Sequence, residues 1–279
     1  MSEAREVKSV DCIKQEERAW HDAYYNTYAL SVFPNTPEEF RQVFTRSHLS
    51  PFCEGGCGWW GDARQEALDV VGDVRGLRVL DYGCGYGWLG IYLSQCGAQV
   101  RGFDFSDPAI ETANLAAQRY RLAAQFEQMD AEDLSYPDGS FDLVVGFGVL
   151  HHVVKYPRAS SHLFRVLRPG GQAVFHETLW DNPFINLARR FTSVDSAAGD
   201  SHLTERSLRE FCRDFSQVRL EKRHLLYMAK RLAKLPATDW NAPLQPRPFW
   251  RAIKALDNRI LRFQPLRRYC GEVIVWLQK

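Results

Sequence analysis

Ten residues, Arg78-Val79-Leu80-Asp81-Tyr82-Gly83-Cys84-Gly85-Tyr86-Gly87, constrain the fold more than any other stretch. A short apolar run ends in an acid, and three glycines follow at alternate positions. An amphipathic run begins at once with Trp88, Leu89, Ile91, Tyr92 and Leu93. The pattern predicts a buried strand, a tight turn and a helix N-terminus. Glycine suits such a turn because a backbone without Cβ takes the required φ/ψ and lets a ligand lie against it. The expected ligand is a nucleotide-like cofactor.

From this point the chain alternates. Strands are expected at 77–82, 98–104, 124–129, 141–147 and 172–178, and helices at about 87–96, 107–120 and 156–167. Pro137-Asp138-Gly139-Ser140 reads as a turn, and Arg168-Pro169-Gly170-Gly171 as a turn closing a helix. Strands and helices alternating through short turns imply a parallel sheet covered on both faces. Upstream, Asp11 to Leu30 reads as a helix, with Trp20, Tyr24, Tyr25 and Tyr28 on one face. A second helix is expected after Pro37, with Phe40, Val43 and Phe44 on its apolar side, then a glycine-rich loop over 51–61 and a helix over 63–71. Downstream, helices are expected over 182–191 and 204–212, the second with Thr204 as N-cap, and a strand over 218–228. A proline-rich loop over 236–248 and an amphipathic helix over 249–263 then lead to a last strand over 269–277. Phe249, Ile253, Leu256 and Ile260 define one side of that helix; Arg251, Lys254, Arg259 and Arg262 lie largely on the others.

Apolar and charged fractions are those of a globular domain, and no apolar run approaches the roughly 20 residues of a membrane span. Met1 to Glu17 is polar and does not read as a secretory leader. Seven irregularly spaced cysteines suit reduced thiols in a cytoplasm. The charge is uneven: residues 1–200 hold 18 Lys and Arg against 27 Asp and Glu, and residues 201–279 hold 17 against 7. Such asymmetry predicts an anionic partner or a membrane surface for the C-terminal part. Nucleic acid fits less well, for lack of a dense basic and aromatic strip.

In open α/β sheets ligands lie beyond the carboxyl ends of the strands. The first strand ends in Asp81 and the glycine turn, and the second in Asp104, about 20 residues on, where an acid can accept from ribose hydroxyls. The third ends at Met129-Asp130-Ala131 and the fourth at Gly146-Phe147-Gly148. Gly85, Gly87 and Gly90 match the spacing of a dinucleotide fingerprint, which makes a nicotinamide-dependent oxidoreductase the alternative. Counted from Gly83, the first glycine after the strand, the third glycine falls on Trp88, and the register fails.

The whole set of motifs resembles the class I S-adenosylmethionine (SAM)-dependent methyltransferases, in particular the small-molecule group known as type 11. Val79 to Gly87 is similar to their acid-x-Gly-x-Gly-x-Gly motif, and Asp104 to the acid after the second strand. Asp130-Ala131-Glu132-Asp133-Leu134 resembles their adenine-side segment. Phe141 to Val145 with Val149 to Val153 resembles the fourth strand and its loop, and Leu163 to Gly171 the helix and turn before the fifth. The resemblance spans residues 77–178. It implies a Rossmann-like, seven-stranded, mostly parallel sheet with helices on both faces, its last strand antiparallel. A helical N-terminal cap over residues 1–75 would precede a domain over 76–279, with a basic helical insertion at about 181–264.

The resemblance also implies roles. Gly83, Gly85 and Gly87 would let the backbone approach SAM, and Asp81 would orient the turn and face the methionine ammonium. Asp104 would hold the ribose hydroxyls with Phe105 against the adenine; Asp130 and Ala131 would bind the adenine edge. The loop after Gly146 would close over the methionine end. The expected reaction is methyl transfer to an O, N or C atom of a small, natural-product or lipid-like acceptor. A hydroxyl acceptor needs a base, for which His151, His152, Glu177 and His176 on the strand-end rim are candidates. Trp20, His21, Tyr24, Tyr25 and Tyr28 are candidates for an acceptor pocket, with His202 on a lid. Against this stands a chain that binds SAM without transferring its methyl. Cys53 and Cys57, in C-x3-C spacing, are a weak zinc signal, so no metal is expected.

Overall fold

The computed structural model describes residues 9–27, 33–45, 61–189, 202–229 and 247–279. Seven strands form one sheet: β1 (Arg78–Tyr82), β2 (Gln99–Asp104), β3 (Gln125–Gln128), β4 (Phe141–Phe147), β5 (Leu167–Thr178), β6 (Gln217–Arg223) and β7 (Glu272–Gln278). Their order is β3-β2-β1-β4-β5-β7-β6. The first five run parallel, and β7 lies antiparallel between β5 and β6. The strand order reverses between β1 and β4, which opens a crevice at their carboxyl ends.

Both faces of the sheet are covered at its centre, so β1, β4 and β7 carry nearly continuous buried runs, while the edge strands β3 and β6 are largely polar. On one face Val79, Val145, Val174 and Ile274 pack with Leu89, Ile91 and Leu93 of α4 (Trp88–Gln95) and the alanines of α5 (Asp107–Arg119). On the other Leu80, Val144, Ala173 and Val275 pack with Leu163 and Val166 of α7 (Ala159–Val166) and Leu208 and Phe211 of α9 (Glu205–Phe211). Upstream lie α1 (Val10–Thr27), α2 (Pro37–Thr45) and α3 (Gly61–Val71). Phe40 of α2 is fully buried, and α3 packs across β5 and β7. Thr204 caps α9 as its sequence predicts, accepting from Ser207 N at 3.2 Å. Among the described residues no helix is long and apolar enough to cross a membrane.

Several elements depart from the sequence expectation. A short helix, α6 (Leu150–Val153), follows β4, whereas α8 (Pro183–Arg189) falls within the helix expected over 182–191. β5 begins five residues early, because Leu167 pairs with Phe141 before the register slips to Leu143 and Gln172. Arg168 to Gly171 is therefore an irregularity inside a strand, not a turn closing the helix. β6 stops at Arg223, not at residue 228. His224 takes a left-handed φ of 58°, and the Asp257 carboxylate gathers the amides of Leu225, Leu226 and Tyr227 at 2.7, 2.9 and 3.1 Å into a turn.

That carboxylate also rotates α10 (Arg247–Ile260), which begins inside the expected proline loop. Trp250, Asp257 and Leu261 face inward, while Phe249 and Leu256, two residues of the expected apolar side, are exposed. Three amides need an acceptor in the interior, and satisfying them outweighs burying two apolar side chains. β7 starts at Glu272, since Gln264–Tyr269 forms a 3-10 turn. Tyr28, Cys53 and Cys57 lie outside the described residues.

Candidate functional site

At the carboxyl ends of β1, β2 and β4 lies a cavity of about 260 Å³. Gly83 and Gly85 line its floor, Asp104, Phe105, Met129, Asp130 and Ala131 one side, and Phe147, Gly148, Val149, His152 and Val153 the other. The size and mixed lining suit a nucleoside-bearing ligand.

The floor is held by carboxylates. Asp104 ends β2 and accepts from Gly85 N at 2.9 Å through one oxygen and from Ser106 N at 3.1 Å through the other. Burial pushes its carboxyl up, the nearby His21 opposing. Asp81, two residues before Gly83, turns the other way. It is fully buried, accepts from Gly90 N at 2.7 Å and does not line the cavity. Burial raises its pKa to about 7, against the pull of the Gly90 amide. Its observed place is under the first turn of α4, where it ties helix to strand.

Gly85 shows why the turn needs glycine at alternate positions. Its φ is +49°, and a Cβ there would lie 2.6 Å from the Tyr25 hydroxyl. At Gly83 a Cβ would run into the Val149 side chain, closing the cavity between its two walls. Gly146 differs. A Cβ there would press on Tyr82 O and the Phe175 ring at 2.8 and 2.9 Å, so it serves packing between β1 and β5. Gly148 takes the lining role expected nearby, and Gly87 sits outside the lining, at the start of α4.

The roof is α1. Lys14 bonds Asp130 at 2.6 Å and Glu132 at 2.7 Å, and Arg18 pairs with Asp107 at 3.2 Å. Buried Glu17 meets Lys155 and accepts from the Tyr156 hydroxyl at 2.5 Å, while Asp22 accepts from Ser106 at 2.5 Å. Tyr25 stands edge-on to Tyr86, with ring centroids 4.6 Å apart. Lys14, Glu17, His21, Tyr24 and Tyr25 thereby line the cavity. Trp20 stacks on Tyr24 and stays outside the lining, as does His202, whose ring lies against Trp180.

The histidines divide. His151 Nδ1 lies 2.9 Å from Glu177 Oε2, while Glu177 Oε1 accepts from Val149 N and Leu150 N at 2.7 and 2.5 Å. Glu177 is wholly buried, and neither residue lines the cavity; together they fix the loop that starts α6. His176 is buried behind Phe147. His152 does line the cavity, its ring 4.9 Å from that of His21. Burial, then the neighbouring His151, His21 and Lys155, hold its pKa well below the usual imidazole value.

Sequence reasoning missed Lys14, Glu17, Tyr82, Tyr86, Met129 and Tyr156 as lining residues. Tyr82 is the instructive case. Its ring is wedged against Phe103 and Phe175, and its fully buried hydroxyl has no hydrogen-bond partner among the described residues. Only strand alternation marks it, since Asp81 and Tyr82 must face opposite sides of the sheet.

Comparison with known proteins agrees with this geometry. Residues 80–175 match the family model for a methyltransferase domain. The demethylmenaquinone methyltransferase of Thermus thermophilus is 37% identical over 117 residues, 41% of this chain and 53% of that protein. The ubiquinone biosynthesis O-methyltransferase of Alkalilimnicola ehrlichii is 34% identical over 135 residues, 47% and 54% of the two chains. The chain thus spans about half the length of these relatives. A SAM-dependent methyltransferase from Mesorhizobium loti superposes with a TM-score of 0.53 over 77% of this chain and 96% of that one, at 21% identity, a likeness of fold. Residues 80–175 thus match a methyltransferase domain and lie in a fold shared with that SAM-dependent methyltransferase.

Proposed function

We propose that the chain transfers the methyl group of SAM to a small-molecule acceptor. The observation that carries this reading is the cavity at the strand ends, floored by glycines and flanked by Asp104 and Asp130, inside the matched segment. The residues fit the cofactor. Gly83 and Gly85 admit a ligand against the backbone, Asp104 offers a carboxylate to ribose hydroxyls, and Phe105 offers an aromatic edge to adenine. Asp130 and the Ala131 amide would take the adenine edge. When bound, SAM supplies a methyl group already activated by its sulfonium.

What remains for the protein is positioning and proton management. Glu177 and His151 fix the loop that carries His152. His152, held neutral by its surroundings, is the imidazole on the strand-end wall of the cavity and a base for a hydroxyl acceptor. His21 and Tyr24 on α1 form the facing wall. The similar demethylmenaquinone and ubiquinone methyltransferases support an apolar small molecule as acceptor. The cationic C-terminal helix supports a further contact with something anionic.

The test is calorimetric titration with S-adenosylhomocysteine and, separately, NAD. S-adenosylhomocysteine should bind and NAD should not, and Asp104→Ala should weaken the former about tenfold or more, the loss of charge-assisted hydrogen bonds to ribose. Preferential binding of NAD, or an Asp104→Ala variant with undiminished affinity, would sink the cofactor assignment. Binding without transfer to any quinol, phenol or amine acceptor would favour a non-catalytic SAM-binding protein.

A further inference from the structure

We infer that the outer face of α10 and the turn after it is a docking surface for an anionic lipid bilayer, independent of the cofactor reading. Seven large apolar residues are exposed among those described, and four of them lie here: Phe249 (51%), Leu256 (46%), Phe263 (63%) and Tyr269 (41%). Phe249, Ala252 and Leu256 fall on one stripe of the helix, and Phe263 follows in the turn after it. Around it stand Arg251, Arg259, Arg262, Arg267 and Arg268, all exposed.

The acids are absent from this face. Between residues 249 and 271 the only acid is Asp257, buried under the helix with its oxygens on three backbone amides. Lys254, the one lysine of the helix, turns inward and bonds Glu66 at 2.9 Å. Among the described residues, none of the five arginines has a carboxylate within ion-pair distance. An ordinary solvated helix intersperses both signs and keeps its aromatics inside. A face of aromatics ringed by arginine alone matches an acyl boundary under anionic headgroups.

Position adds a consequence. The inner side of α10 rests on the turn that follows β6, at the end of the sheet where β6 stops at Arg223 beside Glu272 of β7 and β5 stops at Thr178, the end that also holds the cavity. A bilayer against α10 would therefore lie at the carboxyl end of the sheet, the end at which the cavity lies. A duplex nucleic acid would use the arginines but has no use for Phe249, Leu256 and Phe263.

The experiment is co-sedimentation of the full chain with phosphatidylcholine vesicles, alone and mixed with phosphatidylglycerol. Binding is expected only to the mixed vesicles. It should fall about tenfold or more in Arg259→Glu/Arg262→Glu and comparably in Phe249→Ser/Phe263→Ser. All four positions are exposed, and an unchanged circular dichroism spectrum and thermal melt will show that each variant folds. No binding by the wild type overturns the inference. So does a phenylalanine variant that binds as before, since the contact would then be charge alone. Competition by duplex DNA that also ignores the phenylalanine changes would reassign the face to nucleic acid.

Discussion

Asp81 and His152 show burial favouring the neutral form of an acid and of a base, with shifts of opposite sign. Asp81 has a pKa of about 7 in the folded chain against about 3.8 unfolded, because it sits without water under α4. The folded state holds its proton more tightly, so this group favours folding at acid pH. That advantage is lost as pH rises from about 4 to 7, at a cost on the order of 4 kcal/mol. Asp81→Asn keeps an acceptor for Gly90 N and removes the ionisation. Chemical denaturation of the ligand-free chain should show it gaining on wild type between pH 5 and 8; parallel pH curves would refute the account. His152 shifts the opposite way and stays neutral. If it takes the acceptor's proton, kcat/KM rises through an acid limb below the ordinary imidazole pKa and is flat above neutrality. His152→Asn should then lower kcat about a hundredfold or more while S-adenosylhomocysteine affinity holds. Wild-type kcat in that variant would leave His152 as a wall of the cavity.

At the scale of elements, α1 and α10 both cover the carboxyl rim but are held by different chemistry. α1 is clamped by ion pairs at several points along its length, and one of them places Lys14 on Asp130, the residue assigned to adenine. The exposed pair of Arg18 with Asp107 contributes about 0.2–1 kcal/mol, while the clamps at Lys14 and Glu17 are more buried. Lys14→Glu sets a carboxylate against Asp130 and Glu132 and should loosen that end of the helix. The expected readout is release of S-adenosylhomocysteine about fivefold faster, followed by stopped-flow fluorescence of Trp88 on the cavity wall. An unchanged rate would mean that α1 does not gate the cleft. α10 is held instead by the buried carboxylate of Asp257 and by Lys254 on Glu66, which leaves its outer face free for another surface.

For the molecule as a whole, the charge imbalance noted in the sequence has a place: cations crowd the outside of α10, and the acids of the first 200 residues floor and clamp the cofactor cleft. Vesicle binding should accordingly fade between about 0.15 and 1 M salt, as the Debye length drops from about 8 to 3 Å. The sequence by itself determined the sheet, the glycine turn, the acid at Asp104 and the family likeness, because these rest on local pattern and on spacing along one strand–turn–helix unit. It also named His152, but alongside His151, Glu177 and His176, with nothing local to rank them. Only the tertiary structure turned Asp81 under α4, assigned Glu177 to holding a loop, brought Lys14 across 116 residues to Asp130 and put Phe249 outside. Each of those outcomes depends on which distant backbone amides and charges must be satisfied once water is excluded, and that is decided by packing.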